Sequence, residues 1–237
     1  YHWSSRCDYM LWFEPNELNL IRSQVLPLAQ VKNVLVPMWH RLAREETSKI
    51  CLYDKIVAPS YAAIGRLAER VCVDTQRSYD AAWCQWTSHL PVVKRRCSHT
   101  DKSVRIYVPL DGATIDNAGE FTLDVLGATL ENNINVRFTV NCEKSWPRSR
   151  RMYLRRLQEF WGERLQVHQS INTVRQTAQF YEHDWTYLPN TSSNTANIAS
   201  SSLHCGTPVI CYDVSPLNEI VRHEHSGLLL KCDVDCN

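Results

Sequence analysis

Polar, reactive residues in this chain cluster where apolar runs end. The loop Pro189-Asn190-Thr191-Ser192-Ser193-Asn194-Thr195 is crowded with side chains that cap helices by accepting bonds from first-turn N–H groups. Those N–H groups stand at the positive end of a helix dipole and can hold a phosphate without any cation. The plainer reading of the loop is a well-capped helix. A second cluster is basic: Lys144 follows an apolar run, and Arg148, Arg150, Arg151, Arg155 and Arg156 crowd the helical pattern after it. Arginine grips phosphate oxygens with two parallel N–H groups. The run also reads as a solvated helix face, at Arg155 and Arg156 more than at Lys144 and Arg148, and thirdly as a nucleic-acid contact surface. Three further features carry a titratable group. His40 ends a strand beside Trp39 and is otherwise a packed, half-buried histidine. Glu219 sits at the start of an expected helix Asn218–His223, where an acid is favoured anyway. His223 and His225 flank Glu224 in an expected surface turn, solvated and without metal.

Cysteine chemistry is set aside. The ten cysteines are scattered, and several lie within apolar segments such as Pro208-Val209-Ile210-Cys211-Tyr212, where a thiol acts as a small hydrophobe. No Cys-x2-Cys pair occurs, and Cys232 to Cys236 is poor zinc spacing. A reducing, cytosol-like compartment is the expectation.

Positioning these groups requires a sheet, and the apolar pattern supplies one. Strand-length runs alternate with longer helical patterns, which signals βαβ units and a parallel sheet. Expected strands are Asp8–Phe13, Asn33–Pro37, Asp54–Ala58, Val104–Val108, Val136–Val140, Leu165–His168, Trp185–Leu188, Pro208–Tyr212 and Gly227–Leu230. Expected helices run from Glu17 to Leu28, from the cap Ser60 to Arg70, then over Glu120–Leu130, Arg148–Gly162, Thr173–Tyr181 and Ser193–His204. Residues 74–103 lose this rhythm and read as an interdomain connection. Two Rossmann-like halves meeting near residue 100 is the simplest architecture: 1–100 and 101–237. Open α/β sheets bind ligands beyond the carboxyl ends of their strands, so the loops there are where chemistry belongs.

Composition limits the function classes. At 237 residues, 44% apolar and 22% charged, the chain is of ordinary globular type. A net charge of +1 gives no overall field for nucleic acid or an anionic membrane. No apolar run reaches the roughly 20 residues that span a bilayer. The opening Tyr1-His2-Trp3-Ser4-Ser5 has no secretory pattern and no initiator Met, so earlier residues are expected in the gene product.

Four stretches carry a resemblance: Asp184-Trp185-Thr186-Tyr187-Leu188-Pro189; Leu203-His204-Cys205-Gly206-Thr207-Pro208-Val209-Ile210; Asp213 to Val221, with Asn218-Glu219-Ile220; and Ser226-Gly227-Leu228-Leu229. In register and without a gap, they resemble the donor-binding half of family 4 glycosyltransferases. Upstream, Cys7 to Asn16, Val34 to His40, and Asp54 to Ser60 are similar to strands of that family's acceptor half, more weakly. The resemblance implies a GT-B fold, in which two Rossmann-like domains face a cleft. It implies that the chain starts partway into the acceptor-side domain, with about 80 residues preceding it. It also implies transfer of a sugar, with retention, from a UDP-, GDP- or ADP-sugar to an acceptor hydroxyl, with no metal required.

Residue roles follow by register. His40 would contact the donor sugar from the acceptor half, and Glu219 would face the donor. The family's two glutamates, with seven residues between them, are here Ser193 and Ser201, which hydrogen-bond hydroxyls but bring no charge. Its Arg and Lys after the strand Val104–Val108 are absent; Asp111 and Gly112 stand there, and Gly112 allows backbone to approach a ligand. Lys144 and Arg148 are the candidates to neutralise the leaving diphosphate. Ser192, Ser193, Asn194 and Thr195 would cradle it, with Ser201 on the nucleoside or sugar. The partners implied are a nucleotide sugar and a glycan or small-molecule acceptor. Two alternatives stay open: a transferase for hydroxymethylated DNA bases, as phages and viruses encode, suggested by Lys94-Arg95-Arg96 and the 144–156 run with nearby aromatics; and a non-catalytic nucleotide- or glycan-binding subunit, suggested by the lost glutamates. The expected location is the cytoplasm, or a host's cytoplasm if viral.

Overall fold

The computed structural model describes residues 9–12, 32–36, 53–58, 60–61, 63–65, 67–69, 80–84, 102–110, 118–142, 146–169, 173–190 and 193–231. The chain divides into two compact units, Tyr1–Trp86 and Thr87–Asn237.

The first unit is built on a parallel sheet ordered β1-β2-β3-β4, with β1 Tyr9–Trp12, β2 Lys32–Leu35, β3 Lys55–Ala58 and β4 Ala81–Trp83. Val34, Leu35, Ile56, Ala58 and Leu67 are buried. Ser60 caps the following helix as expected: its hydroxyl accepts the Ala63 N–H at 3.1 Å, and its carbonyl accepts the Ile64 N–H. β4 corrects the reading of 74–103 as connection alone. Three residues, two of them alanine, give no β-branched pattern to detect; the strand is held by parallel register with β3. The expected helix Glu17–Leu28 lies outside the described residues.

The second unit is a six-stranded, wholly parallel sheet ordered β10-β9-β8-β5-β6-β7. Its strands are β5 Val104–Leu110, β6 Val136–Cys142, β7 Leu165–Gln169, β8 Trp185–Leu188, β9 Val209–Tyr212 and β10 Gly227–Leu230. Counted within the unit this is the 3-2-1-4-5-6 order of a Rossmann fold. The helices are α1 Ala118–Asn132, α2 Arg148–Trp161, α3 Thr173–Glu182 and α4 Ser193–His204. Each joins two parallel strands, and right-handed crossovers place α1 and α2 on one face, α3 and α4 on the other.

The two cores match that division. Val108, Leu110, Phe138, Val140 and Cys142 pack with Leu123, Leu126 and Leu130 of α1 and Leu154 of α2. Tyr107, Leu188, Val209 and Cys211 pack with Phe180 of α3 and Ile198 and Ala199 of α4. Neighbours along β5 thus point to opposite faces, which is the period of two that a strand imposes.

Buried hydroxyls lock the α3–α4 face. Ser202 is hydrogen-bonded to Thr186 Oγ1 at 2.8 Å and to the Thr207 carbonyl at 2.9 Å, and the Thr207 hydroxyl donates to the Phe180 carbonyl. His183 bridges Thr139 Oγ1 and the Gln179 carbonyl, each at 2.7 Å. These ties fix α4 and α3 against the strands whose ends carry the site.

Candidate functional site at the carboxyl edge of the second sheet

Strand order reverses between β5 and β8, the point where an open sheet leaves a crevice at its carboxyl ends. The connection out of β8 is therefore the first place to look. Pro189 and Asn190 leave the strand, and α4 begins at Ser193. Asn190 Oδ1 accepts the hydroxyl of Thr195 at 2.6 Å, and Thr195 is fully buried. The bond ties the loop to the first turn of α4. The first N–H groups of any helix have no partner within it and point outward, here toward the carboxyl edge. Ser193 and Asn194 are the first two residues of α4, so their N–H groups belong to this set.

Arg148 opens α2, beyond the end of β6, and is exposed. That helix has no acid in its first turn and no side-chain cap, only Pro147 before it, and buried Trp146 anchors the loop. Arg150 and Arg151 are half-buried, while Arg155 and Arg156 face solvent.

Glu219 sits beyond the end of β9, half-buried, in a single 3-10 turn Leu217–Glu219. The expected helix Asn218–His223 is corrected here. Leu217 and Val221 turn inward, Glu224 adopts a φ of 61°, and the Glu224 N–H donates to the Gly227 carbonyl. The chain must reach β10 within a few residues, so helix stops after one turn. The Ser215 hydroxyl donates to the Glu219 carboxylate, and Asn218 Nδ2 donates to Asp213 Oδ1 at 3.1 Å. Sequence reasoning passed over Asp213 and Ser215; the signal for Asp213 is an acid placed directly after an apolar strand.

Ser201 is half-buried on α4. It lies eight positions on from Ser193, about 12 Å along a helix, so the two cannot touch one small group together. His40, Gly112, Lys144 and Ser192 lie outside the described residues. What the topology gathers on one edge is thus Asn190 with Thr195, the start of α4, Arg148, and the Asp213–Glu219 turn. Such an edge offers N–H groups, hydroxyls and an exposed cation, which suits a phosphate-bearing, hydroxyl-rich ligand.

The nearby thiols do not compete for chemistry. Burial, with the Asp213 charge adding to it, pushes the Cys211 thiol up to about 12, and burial also raises Cys142 and Cys205. None is a thiolate at neutral pH.

The glycine of Gly206-Thr207-Pro208 has a structural role. Thr207 N donates to the Ser202 carbonyl and Gly206 N to the Leu203 carbonyl, the paired bonds of a Schellman cap, with Gly206 at φ 79°. Ending α4 this way delivers Pro208 to β9 and holds the helix start in place.

No family profile matches the chain, and no curated protein matches it. Solved structures do. A point mutant of S. aureus TarM, in complex with Fondaparinux, alpha-GlcNAc-glycerol and UDP, superposes with TM-score 0.68 at 9% identity, covering 95% of this chain and 45% of that one. The pneumococcal O-GlcNAc transferase GtfA in complex with UDP and GlcNAc gives 0.60 at 12%, covering 91% and 45%. The catalytic domain of Starch Synthase IV from Arabidopsis thaliana, bound to ADP and acarbose, gives 0.66 at 9%, covering 96% and 63%. The fold is the GT-B type of Rossmann-like α/β fold. The chain spans less than half the length of the first such structures it matches.

Proposed function

We propose that the chain is part of a glycosyltransferase that moves a sugar, with retention, from a nucleotide-diphosphate sugar to an acceptor hydroxyl. One observation carries the reading: the strand order reverses at β5 and β8, and the loop leaving β8 opens α4 with its N–H groups at that edge. Three solved structures of the same fold that are bound to UDP or ADP support it. The donor diphosphate lies over Ser192, Ser193, Asn194 and Thr195, with Lys144 and Arg148 offsetting the charge that develops on the leaving group. Glu219 and Ser201 hold nucleoside or sugar, Gly112 lets backbone approach, and His40 meets the sugar from the acceptor half. Residues 1–100 form that acceptor-side half and 101–237 the donor half; no metal is needed. The acceptor is a glycan or small molecule. The alternative, a hydroxymethylated DNA base, draws on exposed Arg155, Arg156 and Tyr153. The free thiols Cys84, Cys142, Cys205 and Cys211 support a cytoplasmic setting.

The test is release of nucleoside diphosphate from UDP-glucose, UDP-GlcNAc, GDP-mannose and ADP-glucose. Release above the uncatalysed rate from at least one donor is expected, falling at least ten-fold with Glu219→Gln. A second reading, a nucleotide-binding subunit without turnover, is favoured by the absence of an acid from the first turn of α4. Nucleotide binding with no release from any donor selects it.

A further inference from the structure

The two helices that share one face of the second sheet carry opposite charge. α1 holds Glu120, Asp124 and Glu131 and no lysine or arginine. α2 holds Arg148, Arg150, Arg151, Arg155 and Arg156 against Glu159 alone. The helix charges are therefore −3, from three acids, and +4, from five arginines and one acid, in a chain of net charge +1. Asp124, Glu131, Arg155 and Arg156 are exposed, and among the described residues none of the four enters an ion pair.

α1 and α2 run side by side. Leu123, Leu126 and Leu130 of α1 share a core with Leu154 of α2. Arg164, just past α2, donates to the Leu130 carbonyl at 2.7 Å and to the Asn133 carbonyl, so it ties the two helix ends together. Both helices join parallel strands and so point the same way. Measured back from those ends, Asp124 stands about 12 Å along α1 and Arg156 about 8 Å along α2. Apolar side chains stand among the arginines: Met152, Arg156 and Phe160 recur every fourth residue, one stripe of the helix, with Tyr153 beside it. Met152 and Tyr153 are each 46% exposed and Phe160 77%. Single exposed apolar residues are ordinary, whereas a group on one helix face marks an interaction surface.

An anionic bilayer or a nucleic acid would suit α2 but be repelled by Asp124 and Glu131 on the helix next to it. A second copy of the same face answers both helices. A two-fold axis lying between α1 and α2, and parallel to them, sets each α1 on the partner's α2, acid against arginine, and closes after two copies. Two helices of this length cover roughly 20 by 20 Å. That is a small interface, so a weak, micromolar dimer is expected.

We propose that α1 and α2 form the face through which two copies of this chain pair. The pairing does not depend on the transferase reading. The test is sedimentation velocity of the whole chain at rising micromolar concentration, where a monomer–dimer equilibrium is expected. Arg155→Glu with Arg156→Glu weakens it ten-fold or more, and so does Asp124→Lys with Glu131→Lys. Both double variants change only exposed side chains and melt with the parent. Mixing them brings the dimer back, because the reversed α2 of one meets the reversed α1 of the other. A parent that stays monomeric, a dimer undiminished in either double variant, or a mixture that stays monomeric overturns the pairing. Vesicles containing phosphatidylserine and a short DNA duplex are added to the parent in parallel. Binding to either that Arg155→Glu with Arg156→Glu removes, without a dimer, gives α2 to that partner and also overturns the pairing.

Discussion

At the mouth of α4 the Thr195 hydroxyl donates to Asn190 Oδ1 and ties the end of β8 to the first turn of the helix. A Thr195→Val change keeps the shape and removes the donor. Losing one buried hydrogen bond costs about 1–2 kcal/mol, so the urea midpoint is expected to fall accordingly, with Thr195→Ser restoring most of it. An unchanged midpoint for the valine variant shows that the bond does not hold the loop. At this scale the sequence was legible by residue type only. Asn190 and Thr195 could be read as capping residues, because Asn and Thr do that work at any helix start. Their choice of each other depends on burial of Thr195, which only the packed sheet decides. Glu219 was legible as an acid after a strand, but its partner was not: the Ser215 hydroxyl reaches it because a 3-10 turn, not a helix, follows β9.

At the scale of elements, the alternation of apolar runs was enough to locate the strands and helices of the second unit within a residue or two. Long, periodic segments such as Arg148–Trp161 and Ser193–His204 announce themselves. Ala81–Trp83 did not, because alanine carries no strand signal and only its neighbour β3 fixes it. Glycines divide similarly. Gly206 entered the sequence reading only as part of the stretch Leu203 to Ile210, and the structure explains it as a helix cap. Gly227 is explained by contact: a Cβ there would lie 2.0 Å from the Val209 carbonyl oxygen and 2.7 Å from Val221 Cγ1. Backbone cannot retreat as a side chain can, so β10 would have to part from β9. Gly227→Ala is expected to cost about 3 kcal/mol by urea unfolding, at the upper end of overpacking penalties. A loss below about 0.5 kcal/mol would mean that β10 shifts freely and does not brace the Asp213–Glu219 turn.

For the whole molecule, charge and length are uninformative, while strand order is decisive. A net +1 chain could do many things; a sheet ordered β10-β9-β8-β5-β6-β7 has one reversal of strand order, the place where open sheets of this kind take ligands. The central claim is that a pyrophosphate sits on the start of α4 with Lys144 and Arg148 beside it. The direct measurement is the melting temperature of the whole chain with UDP, GDP and ADP, for the parent and for Lys144→Ala with Arg148→Ala. A ligand at 100 times its Kd adds about 2.7 kcal/mol to native-state stability. At least one nucleotide is expected to raise the parent's melting temperature, and the double variant is expected to show no rise while melting normally in buffer. No rise with any of the three in the parent, or the same rise in the double variant, contradicts the claim.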